Sequence, residues 1–380
     1  MDGSLGTASP LAELLAEIAA AAPHHDRDAT FPSENFERLH EEGLLGFTVR
    51  RGDGGREAGL RETVDLIGAL GQACPSTALV FAMQAIHHNT IARSPAWLEH
   101  LRARLGRHAA GCGALINALR VEPELGTPAR GGVPATIARA TPEGWLLSGR
   151  KIYATGAPGL AWMLVWARTD EPTPRVGPFL VRARSPGVRI EETWNHLGLR
   201  ASGSHDVVFE NVAVPQDHAI DLRVPGAAER PDPVQARWNA ASIGALYTGV
   251  AHAARDWLVR FLNERVPSNL GGALATVPRI QEAVGAIEAR LATNARLIRS
   301  IADAHDAGTG VPTIECGLLK NVIAENAIAA VEQAVKLTGN HALNRANPLE
   351  RHLRDVLCAR IHTPQGDSVH LAAGGAALGV

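Results

Sequence analysis

The pattern of apolar residues changes twice along this chain, and these changes limit the folds that it can adopt. Leu11, Leu14, Leu15 and Ile18 recur at helical spacing, and similar patterns continue to about residue 108. Between about residues 112 and 215 the chain carries short runs rich in Val, Ile, Trp and Thr, separated by Gly and Pro, as β-strands do. Helical periodicity returns after Val234. The chain is therefore expected to place a β region between two helical regions.

The same patterns predict individual elements. The expected strands lie at 145–147, 162–167, 178–181, 188–190 and 207–209, and the long C-terminal helices at 236–263, 278–305 and 313–337, with a final helix after Pro348. We predict an α+β fold with an α-helical N-terminal domain (1–111), a central β-barrel or sandwich (112–222) and a C-terminal four-helix bundle (223–380). A crevice where three such units meet is a favoured place for a cofactor.

Charge and cysteine content exclude several classes of protein. The 380 residues are 46% apolar and 20% charged, with a net charge of -2, so no basic surface for nucleic acid is expected. The four cysteines lie far apart without CxxC spacing, which predicts neither a metal site nor a disulfide framework. No basic leader precedes an apolar core, and no apolar run reaches the roughly 18 residues of a membrane span. We predict a cytoplasmic protein that binds no membrane.

One segment of the β region pairs an aromatic ring with a hydroxyl group. Residues 149–156 read Gly-Arg-Lys-Ile-Tyr-Ala-Thr-Gly, and Tyr153 and Thr155 would share one face of an extended chain. Such a pair can cover a flat ring and hydrogen-bond to it. The alternative is an ordinary strand in which Tyr153 is buried and Thr155 is solvated.

Four blocks of sequence, in this order, resemble the acyl-CoA dehydrogenase superfamily. They are residues 121–127 (Val-Glu-Pro-Glu-Leu-Gly-Thr), 149–156, 197–215 (which begin Leu-Gly-Leu-Arg-Ala-Ser-Gly-Ser-His-Asp) and 339–355, which end in Arg-Asp. The resemblance covers nearly the whole chain. It implies that the chain has this family's fold, binds FAD or FMN, takes a small-molecule substrate and forms a homotetramer.

The resemblance also implies roles for single residues. Tyr153 would lie against the isoalloxazine ring and Thr155 would hydrogen-bond near its N5 edge. Val121 replaces a threonine that contacts flavin in the family, and Thr127 replaces a serine that faces substrate.

Three further positions would contact the rest of the cofactor. Arg265 resembles an arginine that reaches the pyrophosphate of FAD bound mainly by a neighbouring subunit, although a solvated arginine at a helix end is the alternative. Lys336 stands where the family usually has glutamine, and Gly339 keeps the close backbone approach near the adenosine half.

The glutamate base of acyl-CoA dehydrogenation is missing from both positions where the family carries it. Counted from Arg354-Asp355, the usual position is Thr363, and the alternative position on the first long C-terminal helix is Asn239, followed by Ala240 in place of a family arginine. Neither 356–366 nor 234–254 contains Asp or Glu. Because threonine and asparagine cannot accept the α-proton near neutral pH, Asn239 and Thr363 are interpreted as substrate-binding residues.

Histidines remain near the expected flavin face. His362, His87 and His88 are candidate catalytic residues, since a histidine with its usual pKa near 6.5 can exchange a proton with substrate during a reaction with dioxygen. His87 and His88 could instead be helix-surface residues, and His362 could pack the last helix. Ser202 and Ser204 lack a nucleophile motif and are interpreted as pocket walls with a hydrogen bond to substrate.

Three functions are compatible with these residues. We favour a flavin-dependent monooxygenase that uses dioxygen on a small non-CoA substrate, because its site resembles those monooxygenases of this fold that receive reduced flavin. The second is an atypical acyl-CoA or acyl-carrier dehydrogenase whose base comes from elsewhere. The third is a catalytically silent flavin-binding or assembly protein. The partner would be a flavin reductase or an electron-transfer protein.

Overall fold

The computed structural model describes residues 9–125, 132–225 and 232–380. The first region is helical, and its helices are α1 (Pro10–Asp28), α2 (Ser33–Glu41), α3 (Leu60–Ala73), α4 (Pro75–Arg93) and α5 (Glu99–Cys112). The β region contains β1 (Leu115–Leu119), β2 (Ile137–Thr141), β3 (Gly144–Ala154), β4 (Leu160–Thr169), β5 (Val176–Arg182), β6 (Val188–Glu191) and β7 (His205–Pro215). The last region contains α6 (Pro233–Glu264), α7 (Pro278–Asp306), α8 (Thr313–Thr338), α9 (Asn340–Leu343), α10 (Leu349–Leu357) and α11 (Gly366–Leu378).

The strands of the described residues form one seven-stranded sheet in the order β1-β4-β2-β3-β7-β6, with β5 paired to β4. Its two longest strands, β3 and β7, are antiparallel neighbours, with Lys151 opposite Val207 and Ala154 opposite His205. The pairing is irregular between Lys151 and Ala154. The end of β3 and the beginning of β7 therefore lie side by side, and this edge of the sheet carries much of the predicted site.

The C-terminal helices pack around α6, which contacts α7, α8 and α10. Helix α3 of the N-terminal region also packs along α6, and Gly71 and Gly249 allow this close approach. A Cβ atom added to Gly249 would overlap the carbonyl oxygen of Gly68, so a larger residue would push the two helices apart. The N-terminal and C-terminal regions thus share one apolar core.

The predicted fold class is confirmed. The three long C-terminal helices begin and end within about three residues of their predicted bounds, a usual uncertainty for helix ends. None of the helices in the described ranges is long and apolar enough to cross a membrane.

Candidate functional site

The main chain leaves its extended conformation at Tyr153. This residue has a φ of 59°, in the left-handed region, and the Thr155 amide donates to the Tyr153 carbonyl oxygen at 2.9 Å. The prediction that Tyr153 and Thr155 share one face of an extended strand is therefore wrong in its geometry. The tight turn leaves the Tyr153 side chain 53% exposed and Thr155 half-buried.

Tyr153 forms an aromatic wall with Trp194 and His196. The Trp194 and His196 rings stack with centroids 3.7 Å apart, and Tyr153 meets both rings edge-on. The Trp194 indole donates to the Leu199 carbonyl oxygen at 3.0 Å, which fixes the ring. The wall borders a cleft of about 210 Å³ that Ser204 and other residues also line.

Three hydroxyl groups form a hydrogen-bonded chain beside this cleft. Ser202 Oγ and Ser204 Oγ are 2.7 Å apart, and Ser204 Oγ donates to Thr155 Oγ1 at 3.1 Å. Because the Ser204 proton goes to Thr155, Ser202 must be the donor to Ser204. Ser202 is fully buried, whereas Ser204 lines the cleft. Among the described residues no acceptor is found for the Thr155 hydroxyl proton, so this hydroxyl remains a potential donor.

His87 reaches the same turn through Asn117 of β1. The His87 Nε2 atom is 3.1 Å from Asn117 Oδ1, and Asn117 Nδ2 donates to the Thr155 carbonyl oxygen at 2.9 Å. Asn117 Oδ1 also accepts the Ala118 amide at 2.7 Å. His87 is therefore two hydrogen bonds away from Thr155, in a position to orient it.

His88 and Val121, two further candidate residues, differ in their hydrogen bonds. His88 is buried, and its Nε2 atom has no hydrogen-bond partner within the described ranges. The Val121 carbonyl oxygen accepts the Ile152 amide at 3.0 Å, which places Val121 beside a residue that lines the cleft. Thr127 lies outside the described residues.

Helix α10 holds the turn that carries the two serines. The buried Asp355 carboxylate accepts the Leu199 amide at 2.7 Å. Burial raises the Asp355 pKa to about 6, an effect that the Leu199 hydrogen bond opposes. Its neighbour Arg354 pairs with Asp26 and Glu350 rather than with Asp355. The Arg-Asp block thus organises the fold and connects α10 to the turn that precedes β7.

A second cluster of candidate residues lies just after α10. His362 Nε2 is 2.7 Å from the hydroxyl oxygen of Tyr247, a buried residue of α6. Asn239, two turns earlier on the same helix, donates to the Thr363 carbonyl oxygen at 2.7 Å. Three candidates, His362, Thr363 and Asn239, are therefore adjacent. Both positions where the family carries a glutamate contact each other and hold neutral side chains.

The histidines of the site are uncharged near neutral pH. Burial lowers the pKa of His362 to about 4, and the nearby Lys320 charge lowers it further. Burial likewise lowers the pKa of His87 to about 4 and that of His88 to about 3. Burial raises the pKa of Tyr247 well above its usual value, so the phenol stays protonated.

Arg265, Lys336 and Gly339 form a separate group at the far end of the bundle. Arg265 directly follows α6, Lys336 is in the last turn of α8, and all three residues are exposed. Phe261 packs against His341 with ring centroids 5.0 Å apart, which connects the two helix ends. At 1.5 Å per residue, Arg265 lies about 27 Å along α6 from Tyr247.

The cleft suits a flat aromatic cofactor that offers hydrogen-bond acceptors. The aromatic wall can contact a ring face, and the Thr155 hydroxyl, one hydrogen bond from the cleft-lining Ser204, is a potential donor next to the cleft. No cluster of metal-ligating side chains is found in the part of the chain that the structure describes. A flavin ring has the required shape and acceptors, so these residues fit the group that the sequence predicts.

Sequence reasoning missed four of these residues: Asn117, Trp194, His196 and Tyr247. Two features of the sequence could have pointed to some of them. Trp194 and His196 immediately precede the block that begins at Leu197, and the chain has only two tyrosines, both of which are in the two clusters. The contacts of Asn117 and Tyr247 join residues far apart in sequence, so no local pattern reveals them.

Comparison with known proteins supports the predicted family along most of the chain. Family models of the acyl-CoA dehydrogenase N-terminal, middle and C-terminal domains match residues 12–95, 120–212 and 241–365. YdbM of Bacillus subtilis (strain 168), named provisionally as an acyl-CoA dehydrogenase, is 30% identical over 357 residues, covering 93% of this chain and 91% of YdbM.

One further relative carries another activity in its name, and one similar solved structure contains FMN and a sugar nucleotide. L-evernosamine nitrososynthase of Micromonospora sp. is 32% identical, over 91% of this chain and 83% of that protein. The structure of KijD3 in complex with FMN and a dTDP-3-amino sugar is 28% identical, with a TM-score of 0.84, and covers 97% of this chain and 92% of KijD3. On the family models and on identities of at least 30% over nine-tenths of its length, this chain belongs to the acyl-CoA dehydrogenase superfamily.

Proposed function

We propose that this protein is a flavin-dependent monooxygenase that acts on a small non-CoA substrate. The observation that carries the proposal is the contact between Asn239 and Thr363, the two positions where a dehydrogenase base would stand. Both side chains are neutral, and the titratable groups next to them include His362, Tyr247 and Lys320. Removal of an α-proton needs a strong enough base opposite the flavin, whereas oxygen transfer does not.

FAD or FMN, when bound, would supply the two electrons with which one atom of dioxygen enters the substrate and the other leaves as water. The protein's own residues would bind the flavin and orient the reacting groups. Tyr153 and its aromatic partners would contact the ring, and the Thr155 hydroxyl would donate to the ring edge. His362, neutral and hydrogen-bonded to Tyr247, would accept a proton from the substrate's reacting group and return it to the departing oxygen.

An amine is the first substrate class to test. The nitrososynthase relatives and KijD3 have names or ligands that include amino sugars. A neutral histidine as proton acceptor would suit an amine, because the attacking nitrogen must lose a proton to become oxygenated.

The partner would be a flavin reductase that delivers reduced flavin. Arg265, Lys336 and Gly339, exposed at the end of the bundle, would hold the distal half of a flavin bound mainly by a neighbouring subunit. This arrangement requires the homotetramer, or at least a dimer, that the sequence predicts.

A reconstituted assay tests the proposal. The purified protein, supplied with FMN or FAD, a flavin reductase, NADH and dioxygen, should consume oxygen and release an N-oxygenated product from amino sugars. Omission of the protein gives the background oxidation of free reduced flavin. Turnover that requires acyl-CoA, or no product from any amine or phenol, would contradict the proposal.

The second candidate is an atypical acyl-CoA dehydrogenase, and the similarity to YdbM favours it. Its base would have to come from the carboxylate that lines the cleft, Asp206. That carboxylate is already engaged, with Oδ2 at 2.6 Å from Arg150 and Oδ1 accepting from Thr193 at 2.8 Å. Anaerobic bleaching of the bound flavin by an acyl-CoA, lost in Asp206→Asn, would establish this candidate and exclude the monooxygenase.

A further inference from the structure

Lys320 of α8 is a buried ammonium group without an acidic partner. Its side chain is 2% exposed, and no Asp or Glu pairs with it among the described residues. Its three donors instead go to three main-chain carbonyl oxygens, those of His362, of Pro364 at 3.0 Å and of Ala359 at 3.5 Å. An ammonium has three N–H groups, so the carbonyls match its donors in number.

Burial of this charge is unfavourable, so other interactions must offset the desolvation penalty. Moving an ammonium from water into a protein interior carries a large desolvation penalty, and three hydrogen bonds to neutral carbonyls offset part of it. The Ala359 carbonyl belongs to the short 3-10 helix Cys358–Arg360 and those of His362 and Pro364 follow it, at a helix end where main-chain carbonyls carry partial negative charge. An uncharged side chain of similar length would fill the same space, so packing alone does not explain a lysine here.

The segment that Lys320 holds is the one that carries His362 and Thr363. Two contacts from α6 fix the same segment, namely Tyr247 to the His362 ring and Asn239 to the Thr363 carbonyl oxygen. Lys320 contacts the segment from α8. The 359–364 segment is therefore held by three residues of different chemistry, from two helices of the bundle.

We propose that Lys320 is a positioning residue whose ammonium fixes the main chain of residues 359–364 and thereby sets where the His362 ring stands. This role deepens the proposed function, since it matters for turnover only if His362 takes part in the reaction. Lys320 itself contacts neither the cleft lining nor the aromatic wall.

The same ammonium has an electrostatic effect on His362. Its positive charge lowers the His362 pKa, as burial does, so the imidazole stays neutral and can accept a proton. Tyr247 from α6 and Lys320 from α8 interact with His362, and Asp355 and Cys358 act electrostatically on the Tyr247 phenol. The segment of His362 adds Arg360, whose guanidinium is paired with Glu325 at 2.7 Å.

Three variants distinguish the positioning and electrostatic effects of Lys320 from the packing of its side chain. Lys320→Met keeps the length but removes the donors and the charge, Lys320→Arg keeps the charge, and Arg360→Gln breaks the exposed ion pair between α8 and the same segment. The readout is the pH titration of the His362 imidazole by NMR of ring-labelled protein, assigned by the signal missing in His362→Gln. The His362 pKa should rise in Lys320→Met, stay low in Lys320→Arg and stay unchanged in Arg360→Gln.

A wild-type measurement covers the case in which Lys320→Met does not fold. Burial lowers the Lys320 pKa to about 8, so the ammonium loses its charge as the pH rises through that value. The carbonyl carbon signals of His362 and Pro364 should then shift with a midpoint near pH 8. Unchanged carbonyl signals between pH 6 and 10, or an unaltered His362 titration in folded Lys320→Met, would overturn the proposal.

These readouts need no turnover and therefore do not depend on the monooxygenase assay. If the titrations behave as expected but no substrate is oxygenated, the proposed function fails while the role of Lys320 in fixing the segment stands. If oxygenation is found, kcat should fall more than KM changes in Lys320→Met, and Lys320→Arg should restore part of the loss.

Discussion

The hydroxyl oxygen of Tyr247 lies 2.7 Å from Nε2 of His362, across 115 residues of sequence. Tyr247 is fully buried in α6, and His362 is half-buried in the segment that follows α10. For His362 to accept a proton from substrate, its Nε2–H must donate to the Tyr247 hydroxyl oxygen, which leaves Nδ1 as the free acceptor. The pair therefore fixes both the orientation and the tautomer of the candidate catalytic histidine.

Tyr247→Phe should lower kcat by at least about tenfold with little change in KM, because the histidine loses its orienting partner. The free energy of unfolding should fall by about 1 to 3 kcal/mol, since a buried hydrogen bond is lost. Steady-state kinetics and urea unfolding measure the two effects. The double variant with His362→Gln should be no slower than His362→Gln alone, and additive losses would show that the two residues act independently.

Thr155→Val should weaken flavin binding about fivefold, as expected for the loss of one hydrogen bond worth about 1 kcal/mol. Fluorescence titration of FMN and FAD measures the affinity. Thr293→Val, which removes an exposed hydroxyl on α7, is the matched control and should bind flavin like the wild type. Equal affinity in Thr155→Val would show that this hydroxyl does not reach the ring.

Lys151→Met should lower the free energy of unfolding by about 3 to 5 kcal/mol, because it leaves the Glu122 carboxylate buried without its counter-charge. Lys151 and Glu122 are both buried, with Nζ 2.5 Å from Oε1, and burial lowers the Lys151 pKa to about 8. Adding Glu122→Gln should restore part of the loss. Arg189→Gln, in an exposed ion pair, should change the unfolding curve little.

Acid should destabilise the protein through buried neutral histidines such as His352. Burial lowers the His352 pKa from 6.5 to about 3, so the unfolded state binds its proton first as the pH falls. The contribution of neutral His352 to the free energy of unfolding is fully present above pH 6.5. It is lost as the pH falls toward 3, by about 1.4 kcal/mol per pH unit.

His352→Leu should therefore flatten the dependence of unfolding free energy on pH between about 6 and 4. Urea unfolding at a series of pH values measures this slope, which does not depend on the absolute stability of the variant. His100→Gln, at an exposed position, should change the slope less. Equal slopes in the wild type and His352→Leu would mean that His352 is solvated.

Much of the fold could be predicted from the sequence because its signals are local. The long helices at 278–306 and 313–338 have apolar residues at helical spacing, and the runs at 160–169 and 176–182 are rich in strand-forming residues. The turn at Tyr153 could not be predicted, since its left-handed φ breaks the strand at a residue that ordinarily favours extended chain.

By itself, the sequence determined the α+β class, the order of the three regions, the absence of Asp and Glu from both base positions and the candidacy of His362. These follow from periodicity and from residue identity within short segments.

The tertiary structure alone decided which residues meet. It joined Tyr247 to His362, Asn117 to Thr155 and Lys320 to the carbonyls of 359–364, and it held Arg265 about 27 Å along α6 from Tyr247. Such contacts depend on how separate helices and strands pack, which the chemistry of neighbouring residues does not specify. Burial, which sets the charge of each histidine, is likewise a property of the packed molecule.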